Sequence, residues 1–251
     1  MRPIRLFTAA IVICTTAVSA GAAHLSVFAA ASLSDALQEI APLYTKASGD
    51  TLTFNFGSSG ALARQIGEGA RADVILSADD LRLDQLEQAG MLLPGTRRTL
   101  LANTLVVVAA AEGGAAVSIP EDLTRASVRH VAIGEPFTVP AGAYAKEYLQ
   151  TIGMWETLHA KLVPLSNVRA VLSAVAAGNA EAGFVYKTDA LISKMVRIAI
   201  EVPLADGPKI SYPVAVVRES RSPDAARAFL AFLGGTEARA VFASFGFLPP
   251  G

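Results

Sequence analysis

Val27-Phe28-Ala29-Ala30-Ala31-Ser32-Leu33-Ser34-Asp35-Ala36-Leu37 reads as an apolar strand that stops at a serine, and the serine opens an amphipathic helix. Junctions of the same kind recur at Gly57-Ser58-Ser59-Gly60, at Val139-Pro140-Ala141-Gly142 and at Ser166-Asn167-Val168. None of the four segments holds a Lys, Arg or His. A helix N-terminus exposes unpaired backbone N–H groups and partial positive charge, so it can hold an anion without a cationic side chain. Several neutral helix starts in one chain point to a site for a small oxyanion.

Outward from that junction, strand and helix alternate. A strand over 25–30 leads into a helix over 33–46 with Leu33, Leu37, Ile40 and Tyr44 on one face. A strand over 51–56, a helix over 61–67, a strand over 73–77 and a helix over 81–89 closed by Gly90 follow. Further strands are expected over 105–110, 131–134, 162–165, 181–186, 198–202 and 212–217. Helices are expected over 143–151, 168–177 and 224–233, with a shorter one after Thr236. This alternation favours an α/β fold, a parallel sheet with helices on its faces. No tandem repeat, low-complexity tract or Gly/Ser-rich linker divides the chain. Two lobes would therefore need the chain to cross between them more than once, with the apolar runs 105–110 and 212–217 as the candidate crossings. The alternative, two central strands of one sheet, stays open at this level.

The first residues carry the layout of a secretory signal. Arg2 and Arg5 make a basic start, 6–18 is apolar without acids, and Val18-Ser19-Ala20 and Ala20-Gly21-Ala22 offer small residues for cleavage. The apolar stretch is too short for a stable membrane span. Residues 1–22 are accordingly expected to be removed. The single cysteine, Cys14, lies inside this segment, with Ile13 before it where a lipoprotein signal would place a small residue. The mature chain then has no disulfide and relies on its core, for which about 230 residues suffice. Losing two arginines takes the formal charge from −1 to −3. That balance excludes nucleic acid and anionic membrane surfaces, which call for basic patches.

Each junction also has a purely structural reading. Ser32 with Asp35 three residues on is a variant of the capping box. Ser58 and Ser59 between two glycines could be a plain turn, although glycines also let a backbone approach another object closely. Pro140 lacks an N–H, which leaves the Ala141 N–H among the first donors of its helix, and Val168 stands in the same position. Tyr186 ends an apolar strand and by itself reads as packing. Catalytic readings are poor. The Gly57–Gly60 run is not the Gly-x-Ser-x-Gly nucleophile elbow. His24, His130 and His159 match no metal-ligand spacing, and Asp73, Asp79 and Asp80 flank a strand end where helix capping suits them better than acid–base work.

Assembled in order, these segments resemble the periplasmic molybdate-binding proteins of ABC importers, within the type II periplasmic solute-binding protein family. The likeness covers nearly the whole mature chain. It rests on 27–33, on 58–66 (Ser-Ser-Gly-Ala-Leu-Ala-Arg-Gln-Ile), on 72–79 (Ala-Asp-Val-Ile-Leu-Ser-Ala-Asp), on 103–108, on Val139-Pro140-Ala141-Gly142 with Tyr144-Ala145-Lys146-Glu147, on Val168-Arg169, on Val185-Tyr186 and on 212–217. The resemblance implies two lobes, each a mixed sheet flanked by helices, with the ligand in the cleft between them. It implies a discontinuous first lobe (23–104 and 213–251), a second lobe over 105–212, and a hinge near the two apolar runs. Carried over by motif, the oxyanion is held by Ser32 and Ser59 through hydroxyl and amide, by the Ala141 and Val168 amides, and by the Tyr186 phenol. Molybdenum would enter only as bound molybdate through these residues, with no other metal and no cofactor. Gly60 departs from a serine often found there, which leaves the assignment standing but alters the loop.

The function expected on these grounds is a non-enzymatic, monomeric periplasmic protein that captures molybdate, and tungstate with it, for the membrane permease of an ABC importer. A binding protein for another tetrahedral oxyanion such as sulfate is the near alternative. A serine hydrolase using Ser58 or Ser59 is the distant one, since no base stands at a sensible position.

Overall fold

The computed structural model describes residues 22–250, so the predicted signal, apart from Ala22, and Cys14 lie outside the described residues. The opening junction forms β1 (His24–Ala30), a 3₁₀ turn over Ala31–Leu33 and α1 (Ser34–Ser48). Leu25, Val27 and Ala29 on one face of β1 and Phe28 and Ala30 on the other are all buried. A strand covered on both faces belongs in the middle of a sheet with helices on either side. Accordingly β1 pairs in parallel with both β2 (Thr51–Gly57) and β3 (Val74–Leu76), Val27 standing opposite Phe54 and Val74.

The helices α2 (Ser59–Gly67) and α3 (Asp80–Gln88) follow β2 and β3. One strand then runs against the parallel set: β10 (Ile210–Val216) pairs antiparallel with β3 and with β4 (Arg98–Asn103), so β4 points the same way as β3. The first sheet therefore reads β2-β1-β3-β10-β4. The C-terminal helices α8 (Pro223–Leu233) and α9 (Thr236–Ser244) close it, α9 packing on α1 and α8 on β10. Tyr44 sits at that seam, its ring edge-on to Phe229 at 4.9 Å and its hydroxyl donating to Asp50 at 2.8 Å. Asp50 also accepts the Ala23 N–H at 2.8 Å, which pins the start of the described chain.

The second sheet repeats this plan. It comprises β5 (Leu105–Ala110), β6 (Val131–Gly134), β7 (Leu162–Leu165), β8 (Ala182–Tyr186) and β9 (Val196–Glu201), in the order β7-β6-β8-β5-β9. Here β6 is parallel to β7 and β8, while β5 is antiparallel to β8 and β9. The helices α4 (Pro140–Thr151), α5 (Trp155–Leu158), α6 (Val168–Ala176) and α7 (Lys187–Leu191) belong to this lobe. Place for place, β1, β2 and β3 of one sheet correspond to β6, β7 and β8 of the other. No sequence repeat announces this likeness, because it is one of topology.

Both apolar runs lie inside sheets, and the crossings precede them. The chain passes from the first sheet to the second at Thr104, between β4 and β5, and returns between β9 and β10. The second boundary, expected at 212/213, falls earlier: Ile210, Ser211 and Tyr212 are already paired with β4. The polar Lys209 and Ser211 around Ile210 hide the start of that strand in the sequence. The purely parallel sheet suggested by alternation is corrected to a mixed one by β10 in the first sheet and β5 in the second, each antiparallel to both its neighbours.

The start of α4 is brought hard against β6 by two glycines. A Cβ on Gly142 would lie 1.9 Å from the Gly134 carbonyl oxygen, and one on Gly134 would lie 2.4 Å from Val139 Cγ1. Only bare backbone fits at this contact. Gly142→Ala should therefore destabilise the protein by about 1–3 kcal/mol through overpacking. Urea unfolding measures this, and an unchanged midpoint would show that the contact is slack.

Candidate functional site

Ligands of α/β sheets collect at the carboxyl ends of the parallel strands. Ser32 follows β1, Ser59 follows β2, Ala141 follows β6, Val168 follows β7 and Tyr186 ends β8. All five line one small cavity between the lobes. None of the described residues that line it is charged. The pseudo-equivalence of the sheets carries into the cavity. Ser32 and Ala141 occupy matching positions after β1 and β6, and Ser59 and Val168 matching positions after β2 and β7.

The capping reading of Ser32 is overturned. Its hydroxyl makes no cap hydrogen bond; it lies 3.0 Å from the hydroxyl of Tyr212, and the intervening 3₁₀ turn delays α1 to Ser34. The two serines of the glycine-flanked turn divide their work. Ser58 is the cap of α2, its Oγ accepting the Ala61 N–H at 3.3 Å. Ser59, 1% exposed, instead accepts the Ala78 N–H on its Oγ at 2.9 Å. That bond leaves its own hydroxyl proton free.

The second lobe supplies backbone. Ala141 follows Pro140 in the first turn of α4, and Val168 is the first residue of α6, where N–H groups have no intrahelical partner. Asn167 caps α6 by accepting the Ala170 N–H at 3.0 Å, which leaves the Val168 amide unused by the cap. Tyr186 is buried, and its hydroxyl has no partner among the described residues. Burial pushes its phenol well above the ordinary value, so it keeps its proton and can donate. A buried phenol that lines a cavity and lacks a partner among the described residues is the strongest local sign of a ligand site.

Of the acids considered, Asp79 caps α3 through the Arg82 N–H at 3.2 Å, and Asp80 is the first residue of that helix. Asp73 does not cap; it accepts from the Ser26 N–H at 2.8 Å and from the Ser220 hydroxyl at 2.6 Å. The histidines lie away from the cavity, His24 against Thr51 and Thr53, His130 beside Glu181 and His159 against Trp155.

The model of the bacterial extracellular solute-binding protein family matches residues 25–248. The chain belongs to this family. Its relatives include the molybdate-binding protein ModA of Escherichia coli K12, 40% identical over 232 residues, covering 89% of this chain and 88% of the relative. Among solved structures, the periplasmic molybdate-binding protein of Azotobacter vinelandii superposes with a TM-score of 0.83 at 26% identity, covering 90% of this chain and 100% of that one. The sulfate-binding protein SubI of Mycobacterium tuberculosis H37Rv reaches a TM-score of 0.81 at 18% identity, covering 90% and 87%, which is a likeness of fold alone.

In this solute-binding protein the lobes are fastened over the cavity. The Gly60 N–H donates to the Thr138 carbonyl of the other lobe at 3.0 Å. A Cβ at position 60 would lie 2.5 Å from that oxygen, so glycine is what permits the contact. Arg82 reaches across to the Phe137 carbonyl. On the opposite side Arg169, next to Val168, touches Asp35 of the first lobe and Asp189 of the second, both at 2.6 Å, and donates to the Ser32 carbonyl at 3.3 Å. Its contact with Asp189 is off the hydrogen-bond line and holds by charge. Thus the Arg169 cation, next to the cavity-lining Val168, is matched by two carboxylates. Sequence reasoning gave Arg169, Asn103, Tyr212 and Asp189 no role, because their partners lie far off along the chain.

Asp189 is fully buried, and its carboxyl is raised to about 6, burial outweighing the pull of Arg169 and of the Tyr186 N–H. A raised folded-state value means that this group's contribution to stability falls as pH rises from about 4 to about 6. Removing the cation raises the value further. Arg169→Ala should therefore cost about 3–5 kcal/mol at pH 8, as for a broken buried pair, and less at pH 5, where the lone carboxyl can stay neutral. Urea unfolding at the two pH values checks this; equal deficits would contradict it.

Proposed function

We propose that this protein captures molybdate, and tungstate with it, in the closed cleft and delivers it to the membrane permease of an ABC importer. The observation that carries the reading is the uncharged cavity whose hydroxyls and first-turn amides converge as donors. The relatives named for molybdate support it by their likeness over most of the chain.

The physical logic is one of matching. Molybdate carries no proton at neutral pH, and a cavity made of donors suits it. Hydrogen phosphate would bring a proton that needs an acceptor, and leaving that proton unpaired in a buried site is costly. Sulfate has the same charge and shape but is smaller, so its rejection depends on cavity size. Neutral donors also avoid a buried cation that would need compensation when the cleft is empty. Opening and closing of the lobes about the crossings at Thr104 and before Ile210 would admit the anion, then bring Ser32 and Ser59 onto Ala141, Val168 and Tyr186. We further propose that the protein is exported to the periplasm by cleavage of 1–22 and acts there as a monomer without a cofactor. No His or carboxylate stands among the described residues that line the cavity, which leaves the hydrolase reading without a base.

Isothermal titration with molybdate, tungstate, sulfate and phosphate tests the ligand. Heat with the first two and none with phosphate is expected; tight sulfate binding without molybdate binding would sink the assignment. At the turn after β2, Ser59→Ala should weaken molybdate binding about tenfold or more, the loss of one hydrogen bond to a charged ligand. Ser58→Ala should cost about 1 kcal/mol of stability as a lost cap, with little change in affinity. The reverse pattern would place the wrong serine on the ligand.

A further inference from the structure

Ser32 is not the end of its hydrogen-bond chain. Behind it runs a buried series, from Asn103 at the crossing between lobes to Tyr212 and on to Ser32, and the direction of every proton in it can be worked out. Asn103 Oδ1 accepts the Thr104 N–H at 2.8 Å, which fixes the side-chain amide so that Nδ2 is the donor end. That nitrogen gives one proton to Thr188 Oγ1 at 2.9 Å and the other to the Tyr212 hydroxyl at 3.2 Å. The Tyr212 oxygen is thereby an acceptor toward Asn103. Tyr212 is fully buried, and the Ser32 Oγ at 3.0 Å is the one other polar atom bonded to its hydroxyl among the described residues. A buried phenol proton left unbonded is costly, so it goes to Ser32. Ser32 Oγ then accepts from Tyr212, and its own proton is left for the cavity. Desolvation and the nearby Asp189 raise the Tyr212 phenol well above its ordinary value, so it keeps that proton at any physiological pH.

We propose that Tyr212, oriented by Asn103, is a positioning residue that makes Ser32 an obligate donor to the bound oxyanion and so enforces selection of a fully deprotonated ligand. This rests on the oxyanion reading above. Ser59 reaches the same state by a shorter route, through the Ala78 N–H. Ser32 has no backbone amide on its Oγ, and the relay takes that place. Because Asn103 belongs to β4 and Thr188 to α7 of the other lobe, the relay is anchored at the crossing and is complete with the lobes in this arrangement. Without Tyr212 the Ser32 hydroxyl would be free to turn and to accept a proton from a ligand that carries one.

The test is a double-mutant cycle by titration at pH 8 with molybdate, together with selenate and hydrogen arsenate, two dianions close in size that differ by one proton. Tyr212→Phe removes one oxygen and keeps the ring that packs edge-on against Tyr186 and Phe247. It should weaken molybdate about tenfold in the wild-type background and no more than about twofold in Ser32→Ala, because Tyr212 acts through Ser32. It should also lower the selenate-to-arsenate affinity ratio, which a merely structural loss would leave unchanged. Equal weakening in both backgrounds, or an unaltered ratio, would overturn the relay. Thermal melts of the variants identify any that misfold, and Asn103→Ser, which cannot span both partners, should then reproduce the lowered ratio. If the wild type takes sulfate in place of molybdate, the ligand assignment fails while the same cycle on sulfate still decides the relay. A wild type that binds no oxyanion would overturn both.

Discussion

The cavity between the lobes is bordered by hydroxyls that are already hydrogen-bond acceptors toward the protein, or that have no partner among the described residues. Ser59 accepts a backbone amide, Ser32 stands at the end of the Asn103–Tyr212 series, and the buried Tyr186 hydroxyl has no partner among the described residues. First-turn amides of α4 and α6 add donors from the opposite side. Convergence of donors at a buried point is unfavourable unless something accepts from them, and this constraint accounts for much of the surrounding architecture. It requires two sets of helix N-termini aimed at each other, and hence two sheets whose carboxyl ends meet.

The pseudo-symmetry of the sheets supplies that meeting with little special machinery. Each lobe offers the loop after its edge strand and the loop after the strand beside that edge. In the first lobe these loops bear Ser32 and Ser59, in the second Ala141 and Val168. The lobes differ in how they present donors: the first by hydroxyls held from behind, the second by bare amides and one phenol. Close packing at Gly134 and Gly142 and the bare backbone at Gly60 allow these parts to come near enough. Charge is managed at a distance from the ligand, with Arg169 joined to Asp35 and Asp189.

The sequence discloses the junctions well because their signals are local. A serine, proline or Asn-x pattern at a helix start marks an N-terminus within a few residues, but Ser58 and Ser59, one position apart, take different partners that spacing alone does not tell apart. Tyr186 could not be separated from packing by its spacing and came from that likeness. Ser32 is legible as a junction, but its spacing to Asp35 also fits a cap, and the contact that tells against capping is with Tyr212, 180 residues away. Asn103 and Tyr212 stand in apolar runs where a polar atom looks incidental, and their bond spans 109 positions. Strand β4 begins with Arg98 and Thr99 and lacks a clear alternation, so the pattern passed over it, and the short α5 and α7 gave too few residues for a period. What escaped the sequence is what tertiary contact creates.

The central claim is that the cavity presents protons to its ligand and takes none. Neutron diffraction from deuterated crystals of the molybdate complex tests it most directly. The account predicts deuterons on the Ser32, Ser59 and Tyr186 hydroxyls aimed at ligand oxygens, with the Tyr212 deuteron aimed at Ser32 Oγ. A Ser32 deuteron directed at Tyr212, or a proton on the bound anion pointing at either serine, would contradict it.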